Sequence, residues 1–185
     1  MKKIMEMLQN MKAKNEKKDN KGFSLVELII VIAIMAILVG IVGTQVLPYI
    51  NKSKEAKDFQ IINSYGTAAT TAYSSAAEKV TAVTTVTMDD TPTTTNTTEP
   101  AKSLADEIQK LTGYEAITTH TKTNLKDKMG SKKGQSIAKI VIVINPTDAD
   151  SAAGVEQPAA AKKTIVTQAY DSSNNPIFDP VVTQL

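Results

Sequence analysis

The sequence lacks several residue types on which active sites commonly depend. It contains no Cys, which excludes disulfides, thiolate metal sites and thiol nucleophiles. Its one His, His120, has no second His with which to build a multi-His metal site. All 21 basic residues are Lys, because the sequence has no Arg, and this weakens any case for forked recognition of phosphates or base edges. We therefore expect no enzyme, cofactor or metal site, and no specific binding of nucleic acid.

Apolar and charged residues are distributed unevenly along the chain. Mean hydropathy is only -0.15 although 42% of the 185 residues are hydrophobic, because the run from Leu28 to Gly43 contains no polar side chain. Before Phe23, seven Lys oppose three acidic residues, a net charge of +4; from Phe23 onward, 14 Lys oppose 16 acidic residues, a net charge of −2. A basic front followed by an apolar run predicts a membrane protein whose N-terminus is cytoplasmic and whose body lies outside.

Three segments follow from this distribution. Residues 1–22 form a Lys-rich leader, residues 23–47 a hydrophobic segment, and residues 48–185 an extracellular body. As a helix, the part of the hydrophobic segment up to Gly43 would span roughly 31 Å, close to the hydrocarbon thickness of a bilayer. Because no Ala-x-Ala-like site closes this segment, we expect it to stay with the product.

The body is predicted to contain one helix packed on a small antiparallel sheet. Apolar residues at Phe59, Ile62, Tyr65 and Ala69 recur at helical spacing and predict an amphipathic helix over residues 49–80. Residues 81–136 are predicted to be loops, with Thr-rich residues 81–100 exposed. One short helix is expected there, with Ser103 as its cap and Gly113 as its end. Residues 137–185 are predicted to form strands at Ile137 to Asn145, Thr164 to Tyr170 and Ile177 to Gln184. The predicted fold class is α+β.

The junction between leader and hydrophobic segment reads Lys21-Gly22-Phe23-Ser24-Leu25-Val26-Glu27-Leu28. This motif resembles the class III signal sequence of type IV prepilins and pseudopilins. The resemblance implies a pilin fold, cleavage after Gly22 by a prepilin peptidase, and N-methylation of Phe23. It also implies that Glu27 aligns an incoming subunit in a helical homo-oligomeric filament, which an assembly ATPase and platform proteins build from the membrane. The absence of Cys fits the Gram-positive members better than many Gram-negative ones.

Glu27 is an acidic residue inside the hydrophobic segment, where a charge is costly. A carboxylate at membrane depth costs about 2.5 to 3.5 kcal/mol, so it should have a partner, and no Lys lies within the hydrophobic segment. Cleavage after Gly22 would create an ammonium group on Phe23. That group could pair with Glu27 of its own chain one helical turn away, or with Glu27 of a neighbouring chain.

Gly40, Gly43 and Pro48 form a second group of candidate residues. Gly weakens a helix by about 1 kcal/mol relative to Ala and Pro by about 3, so residues 40–47 should be the weakest part of the long helix, with Pro48 favouring a kink. One hypothesis is that these residues unwind in a filament. The alternative is that the glycines allow close helix packing in the membrane.

Three classes of function are compatible with these features. The preferred one is a type IV pilin that forms an extracellular fibre for adhesion or surface motility. The second is a pseudopilin of a type II secretion or DNA-uptake system. The third is a membrane-anchored binding domain or enzyme that keeps its leader.

Some signals in the body are weaker. A basic stretch could contact DNA, an anionic surface or an acidic neighbouring subunit, although a solvated loop is the simpler interpretation. Asn96-Thr97-Thr98 matches a glycosylation sequon. The oxygens of residues 145–150 alternate as in a metal loop but lack the Gly and distal Glu of a calcium site. The basic stretch consists of Lys122, Lys126, Lys128, Lys132, Lys133 and Lys139.

Overall fold

The computed structural model describes residues 3–7, 9, 23–90, 95–118, 124–151 and 158–185. The chain divides into two compact units, Met1–Leu47 and Pro48–Leu185. Gly22, most of the predicted leader, His120 and Lys122 lie outside the described residues.

The first unit contains a long apolar helix. Helix α1 spans Leu25–Ile41, and a π-helical segment, Val42–Val46, follows it directly. Ser24 is the N-cap of α1, and the helix has no Gly or Pro before Gly40. Within the described residues, one helical run, Leu25–Ala76, contains a stretch that is long and apolar enough to cross a membrane. None of that apolar stretch is buried inside the chain.

The second unit is built on helix α2, Leu47–Ala76. Its buried face follows the predicted amphipathic stripe, because Ile62, Tyr65 and Ala69 are completely buried. The helix ends at Ala76, earlier than the predicted residue 80, although Val80 is still buried in the turn that follows. Burial raises the pKa of the Tyr65 hydroxyl well above its usual range.

Four antiparallel strands form one sheet in the order β1-β2-β3-β4. The strands are β1 Thr84–Met88, β2 Ile137–Asn145, β3 Thr164–Asp171 and β4 Val181–Gln184. Ile140, Ile142 and Ile144 alternate along β2 on the sheet face that shares one hydrophobic core with α2, as the two-residue period of a strand requires. Helix α3, Ala101–Thr112, buries Leu104 and Ile108 in the same core. The expected α+β class, a long N-terminal helix and a small antiparallel sheet, is confirmed.

Several local predictions were wrong. Thr84–Met88 was predicted to be loop but forms strand β1, whose Val86 and Met88 enter the core. Helix α3 begins at Ala101 after the N-cap Pro100, so Ser103 is not its cap; the Ser103 hydroxyl donates to Glu99 instead. Gly113 does end that helix, with φ of 74° in the left-handed region that favours glycine.

Candidate functional site

The Glu27 carboxylate accepts a backbone hydrogen bond at the N-terminal end of the apolar helix. Ser24 has an extended backbone, and its N–H donates to Glu27 Oε2 at 2.9 Å, while the Leu28 N–H donates to the Ser24 carbonyl at 3.1 Å. A negative charge is favourable beside the free N–H groups of a helix start. From the sequence, we expect Glu27 to have a partner, and the candidate named above is the ammonium group of Phe23. The spacing Ser24-x-x-Glu27, a capping signal, was available in the sequence and identifies the backbone partner.

Two of the three residues predicted to act in processing and assembly, Phe23 and Glu27, lie at the N-terminal end of α1. Phe23 precedes the N-cap and is 83% exposed. Glu27 is in the first turn and is also exposed. Gly22, the predicted cleavage residue, lies outside the described residues, so the roles of Gly22, Phe23 and Glu27 remain predictions.

We call α1 together with the π-helical segment the stem, residues 25–46. Every stem residue is exposed, and so is Leu47. An apolar surface of this size is unfavourable in water, because burying apolar surface lowers the free energy by about 25 cal/mol for each Å² removed from water. Lipid or another protein surface would provide such burial.

The π-helical segment coincides with the residues predicted to be weak. Inside the segment, the Thr44 hydroxyl donates to the carbonyls of Gly40 and Ile41, at 3.1 and 3.4 Å. Pro48 follows with no N–H to offer. A Cβ atom added at Gly40 or Gly43 would meet nothing within 4 Å, so no contact with a described residue requires glycine there. Unwinding of these residues in a fibre remains a prediction.

Asp58 ties a distant loop to α2. Only 1% exposed, it lies on the apolar side of α2. Its carboxylate accepts the N–H groups of Gly130 and Ser131, each at 2.8 Å, and the Ser131 hydroxyl. The Gly134 N–H then donates to the Ser131 hydroxyl oxygen at 2.9 Å. The sequence signal for this burial is the position of Asp58 four residues before Ile62, on the apolar stripe of α2.

The Asp58 contact builds an open groove beside α2. The groove has a volume of about 770 Å³ and combines three lysines with hydroxyl and amide groups. We call it the lysine groove. A Cβ on Gly130 would lie 3.7 Å from Lys54 Cγ, which shows how closely the loop approaches α2. The residues that line the groove and carry its polar character are Lys54, Lys57, Gln60, Ser64, Thr112, Tyr114 and Lys128.

The structure argues against glycosylation of Asn96 in the folded chain. Asn96 is only 6% exposed, and its side-chain amide donates to the Thr87 carbonyl at 2.7 Å while its oxygen accepts the Thr87 N–H at 2.9 Å. Asn96 therefore pairs with the outer edge of β1 as a neighbouring strand would. Its amide nitrogen is not accessible to a glycosylating enzyme in the folded chain.

The oxygens of residues 145–150 are used by the fold. The Asn145 amide donates to the carbonyls of Ala149, Ala160 and Ala161, and its oxygen accepts from Thr147. Asp148 forms an ion pair of 2.8 Å with Lys163, and hydrogen bonding to Asp148 raises the pKa of Lys163. Within the described ranges, no group of three or more His, Asp or Glu residues could hold a metal ion.

Comparison with known proteins identifies the N-terminal region. Residues 17–43 match the family model of the prokaryotic N-terminal methylation motif. This motif is the class III signal peptide of type IV pilins, and here a long apolar helix follows it. The match supports the pilin and pseudopilin class and a structural role for the chain. It covers none of the second unit, and no curated protein and no solved structure matches the chain.

Proposed function

We propose that this chain is the precursor of a type IV pilin. In this proposal residues 23–47 insert in the membrane with the leader in the cytoplasm, a prepilin peptidase cuts after Gly22, and the amine of Phe23 is methylated. The stem then leaves the membrane and polymerises with other copies into an extracellular fibre that serves adhesion or surface motility. An ATPase and platform proteins of the assembly system drive the transfer.

The observation that carries the proposal is a methylation motif followed directly by a stem with no buried residue. A membrane anchor and a fibre core place the same demand on a helix, since both bury an apolar surface all round. The stem meets that demand, because its apolar side chains are exposed on every side of α1.

Glu27 supplies the reason for cleavage before assembly. Its Oε2 accepts the Ser24 N–H, and a carboxylate has further lone pairs for a second donor. Before cleavage Phe23 offers an uncharged amide, whereas after cleavage it offers an ammonium group. An ammonium on a neighbouring chain would meet Glu27 in an apolar surrounding, where an ion pair with good geometry offsets the cost of burying its charges.

Two variants of Glu27 test this role. Glu27→Ala removes both the charge and the acceptor for Ser24, whereas Glu27→Gln keeps an oxygen acceptor and removes only the charge. We expect both variants to be cleaved and methylated at Phe23, and both to give few or no fibres. Mass spectrometry of the membrane and sheared surface fractions measures processing and fibre yield together. Glu55→Ala, which removes a half-buried acidic residue on α2, is the matched control and should assemble normally.

The outcomes separate the competing functions. Abundant normal fibres from Glu27→Gln would refute the charge pair and leave only a capping role. A wild-type chain that is processed but absent from surface fibres would favour a pseudopilin of a secretion or DNA-uptake system. A wild-type chain that keeps residues 1–22 would overturn the pilin proposal.

A further inference from the structure

We infer that the lysine groove of the second unit binds carboxylates on the surface of another copy of this chain. The inference rests on the proposed filament and names a contact within it that does not involve the stem. The groove brings Lys54 and Lys57 of α2 to Lys128, which lies more than 70 residues away in the sequence. The sequence could not show this cluster, because the Asp58 contact with Gly130 and Ser131 creates it.

Within the part of the chain that the structure describes, the three groove lysines take part in no ion pair. Two ion pairs elsewhere in the second unit, Lys110 with Glu107 and Lys163 with Asp148, both lie outside the groove. Asp58 contributes to the groove lining, but it is buried and its two oxygens are occupied by Gly130 and Ser131. The side chains of Lys54, Lys57 and Lys128 are therefore exposed cations available to an external anion.

The charge of the rest of the chain indicates which anion. Without these three lysines, and leaving out Glu27 of the apolar helix and buried Asp58, the chain from Phe23 onward has 11 Lys against 14 acidic residues. Such a surface attracts the groove of another copy, whereas it repels a long polyanion whose charges extend beyond the groove. In a filament of identical subunits, every copy carries both the groove and the acidic surface, so one heterologous contact can repeat without closing on itself.

The groove has the chemistry that such a contact needs. Lys presents a compact charge on a flexible stem, so it can reach carboxylates without the fixed geometry that a guanidinium imposes. Gln60 adds a neutral amide donor beside the cations. The Ser64 and Thr112 hydroxyls also line the groove, but each already donates to a carbonyl of its own helix. Attachment of the loop to buried Asp58 holds Lys128 beside α2 before any partner arrives, which reduces the ordering cost of association.

Carbodiimide cross-linking of fibres tests the contact directly. The reagent joins a lysine amine to a carboxylate in contact with it, and fibres assembled from isotopically light and heavy chains distinguish links between chains from links within a chain. We expect links between chains that include Lys54, Lys57 or Lys128 on one side and an acidic residue of another chain on the other. Links from these lysines only within a chain, or none at all, would overturn the inference.

A triple variant provides the second arm. Lys54→Gln, Lys57→Gln and Lys128→Gln together should lower the yield of surface fibres about tenfold, since several exposed ion pairs are lost at every repeated contact. The matched control changes three exposed lysines elsewhere, Lys79, Lys102 and Lys162, to Gln and should assemble like the wild type. Circular dichroism of the full chain in nonionic detergent checks that both variants are folded.

The remaining outcomes distinguish this inference from the proposed function. Normal fibre yield from the groove variant, with Phe23 methylated, would overturn the inference and leave the pilin proposal intact. Tight binding of inorganic polyphosphate to wild-type fibres, lost in the groove variant while fibre yield stays normal, would identify a phosphate polymer as the occupant instead. A wild-type chain that forms no fibre would overturn both.

Discussion

Replacement of Asp58 should destabilise the second unit more than replacement of any exposed acidic residue. Asp58→Ala leaves the N–H groups of Gly130 and Ser131 and the Ser131 hydroxyl without their acceptor, and Ser131 is only 5% exposed. Hydrogen bonds to a charged group contribute about 1.5 to 3 kcal/mol each, but water can reach Gly130 once the carboxylate is gone. We therefore expect a loss of about 4 kcal/mol in the free energy of unfolding, less than the sum of three bonds.

The conservative variant should have a smaller effect. Asp58→Asn keeps one acceptor oxygen but turns an NH2 group toward donors that now lack a partner, so we expect about half the loss caused by Asp58→Ala. The measurement is urea unfolding of the full chain in nonionic detergent, followed by near-ultraviolet circular dichroism of the tyrosines. At roughly 4 °C per kcal/mol, Asp58→Ala should lower the thermal midpoint by about 15 °C.

Two controls make the Asp58 prediction refutable. Glu55→Ala, one turn earlier on the same helix, should change the unfolding free energy by no more than about 0.5 kcal/mol. In a double-mutant cycle, Asp58→Ala and Ser131→Ala should couple by about 1 kcal/mol or more, because the Ser131 hydroxyl has no carboxylate to donate to when Asp58 is absent. A loss below about 1 kcal/mol for Asp58→Ala, or additive effects in the cycle, would show that this carboxylate does not hold the loop.

Three further substitutions test the packing of the second unit by the same unfolding assay. Gly134→Ala should cost about 2 kcal/mol or more, because its Cβ would overlap the Asp58 carboxylate, whereas Gly130→Ala, with no atom nearer than 3.7 Å, should change stability little. Asn96→Ala should cost about 1 to 2 kcal/mol by exposing the edge of β1, and peptide mapping of the secreted chain should find Asn96 without a glycan. Thr167→Val should stabilise the fold by about 0.5 to 1 kcal/mol, since the buried Thr167 hydroxyl has no hydrogen-bond partner among the described residues; a destabilised variant would indicate that one exists.

Elements with strong local patterns could be predicted from the sequence. Strand β2 occupies Ile137–Asn145 as predicted, because its run of β-branched residues has no competing helical period. The end of α3 at Gly113 could also be predicted, because the residue that follows a helix often adopts the left-handed conformation and glycine does so most readily. Strand β1 was missed because its Thr-rich composition resembles a loop, although Val86 and Met88 already alternate with Thr.

The candidate sites divide in the same way. The motif at Gly22, Phe23 and Glu27 is continuous in sequence, so it could be recognised without a structure. The lysine groove depends instead on a hydrogen bond between Asp58 and residues 72 and 73 positions further along, and no local pattern encodes such a separation. Lys128 belongs to a basic stretch that is visible in the sequence, but only the fold shows that α2 contributes the other two cations.

Gly40 and Gly43 of the stem are unfavourable in a helix and therefore need an explanation. A glycine retained inside a helix costs about 1 kcal/mol relative to alanine, so it needs a compensating advantage. Within the described residues, Gly66 has one, because a Cβ there would lie 3.2 Å from Val181 Cγ1, but Gly40 and Gly43 have open space around them. No contact with a described residue accounts for them, which leaves the two hypotheses of close approach by another helix and freedom to leave the helical conformation. The first hypothesis places a second helix against the stem, as the proposed contact of the lysine groove places a second chain against the second unit.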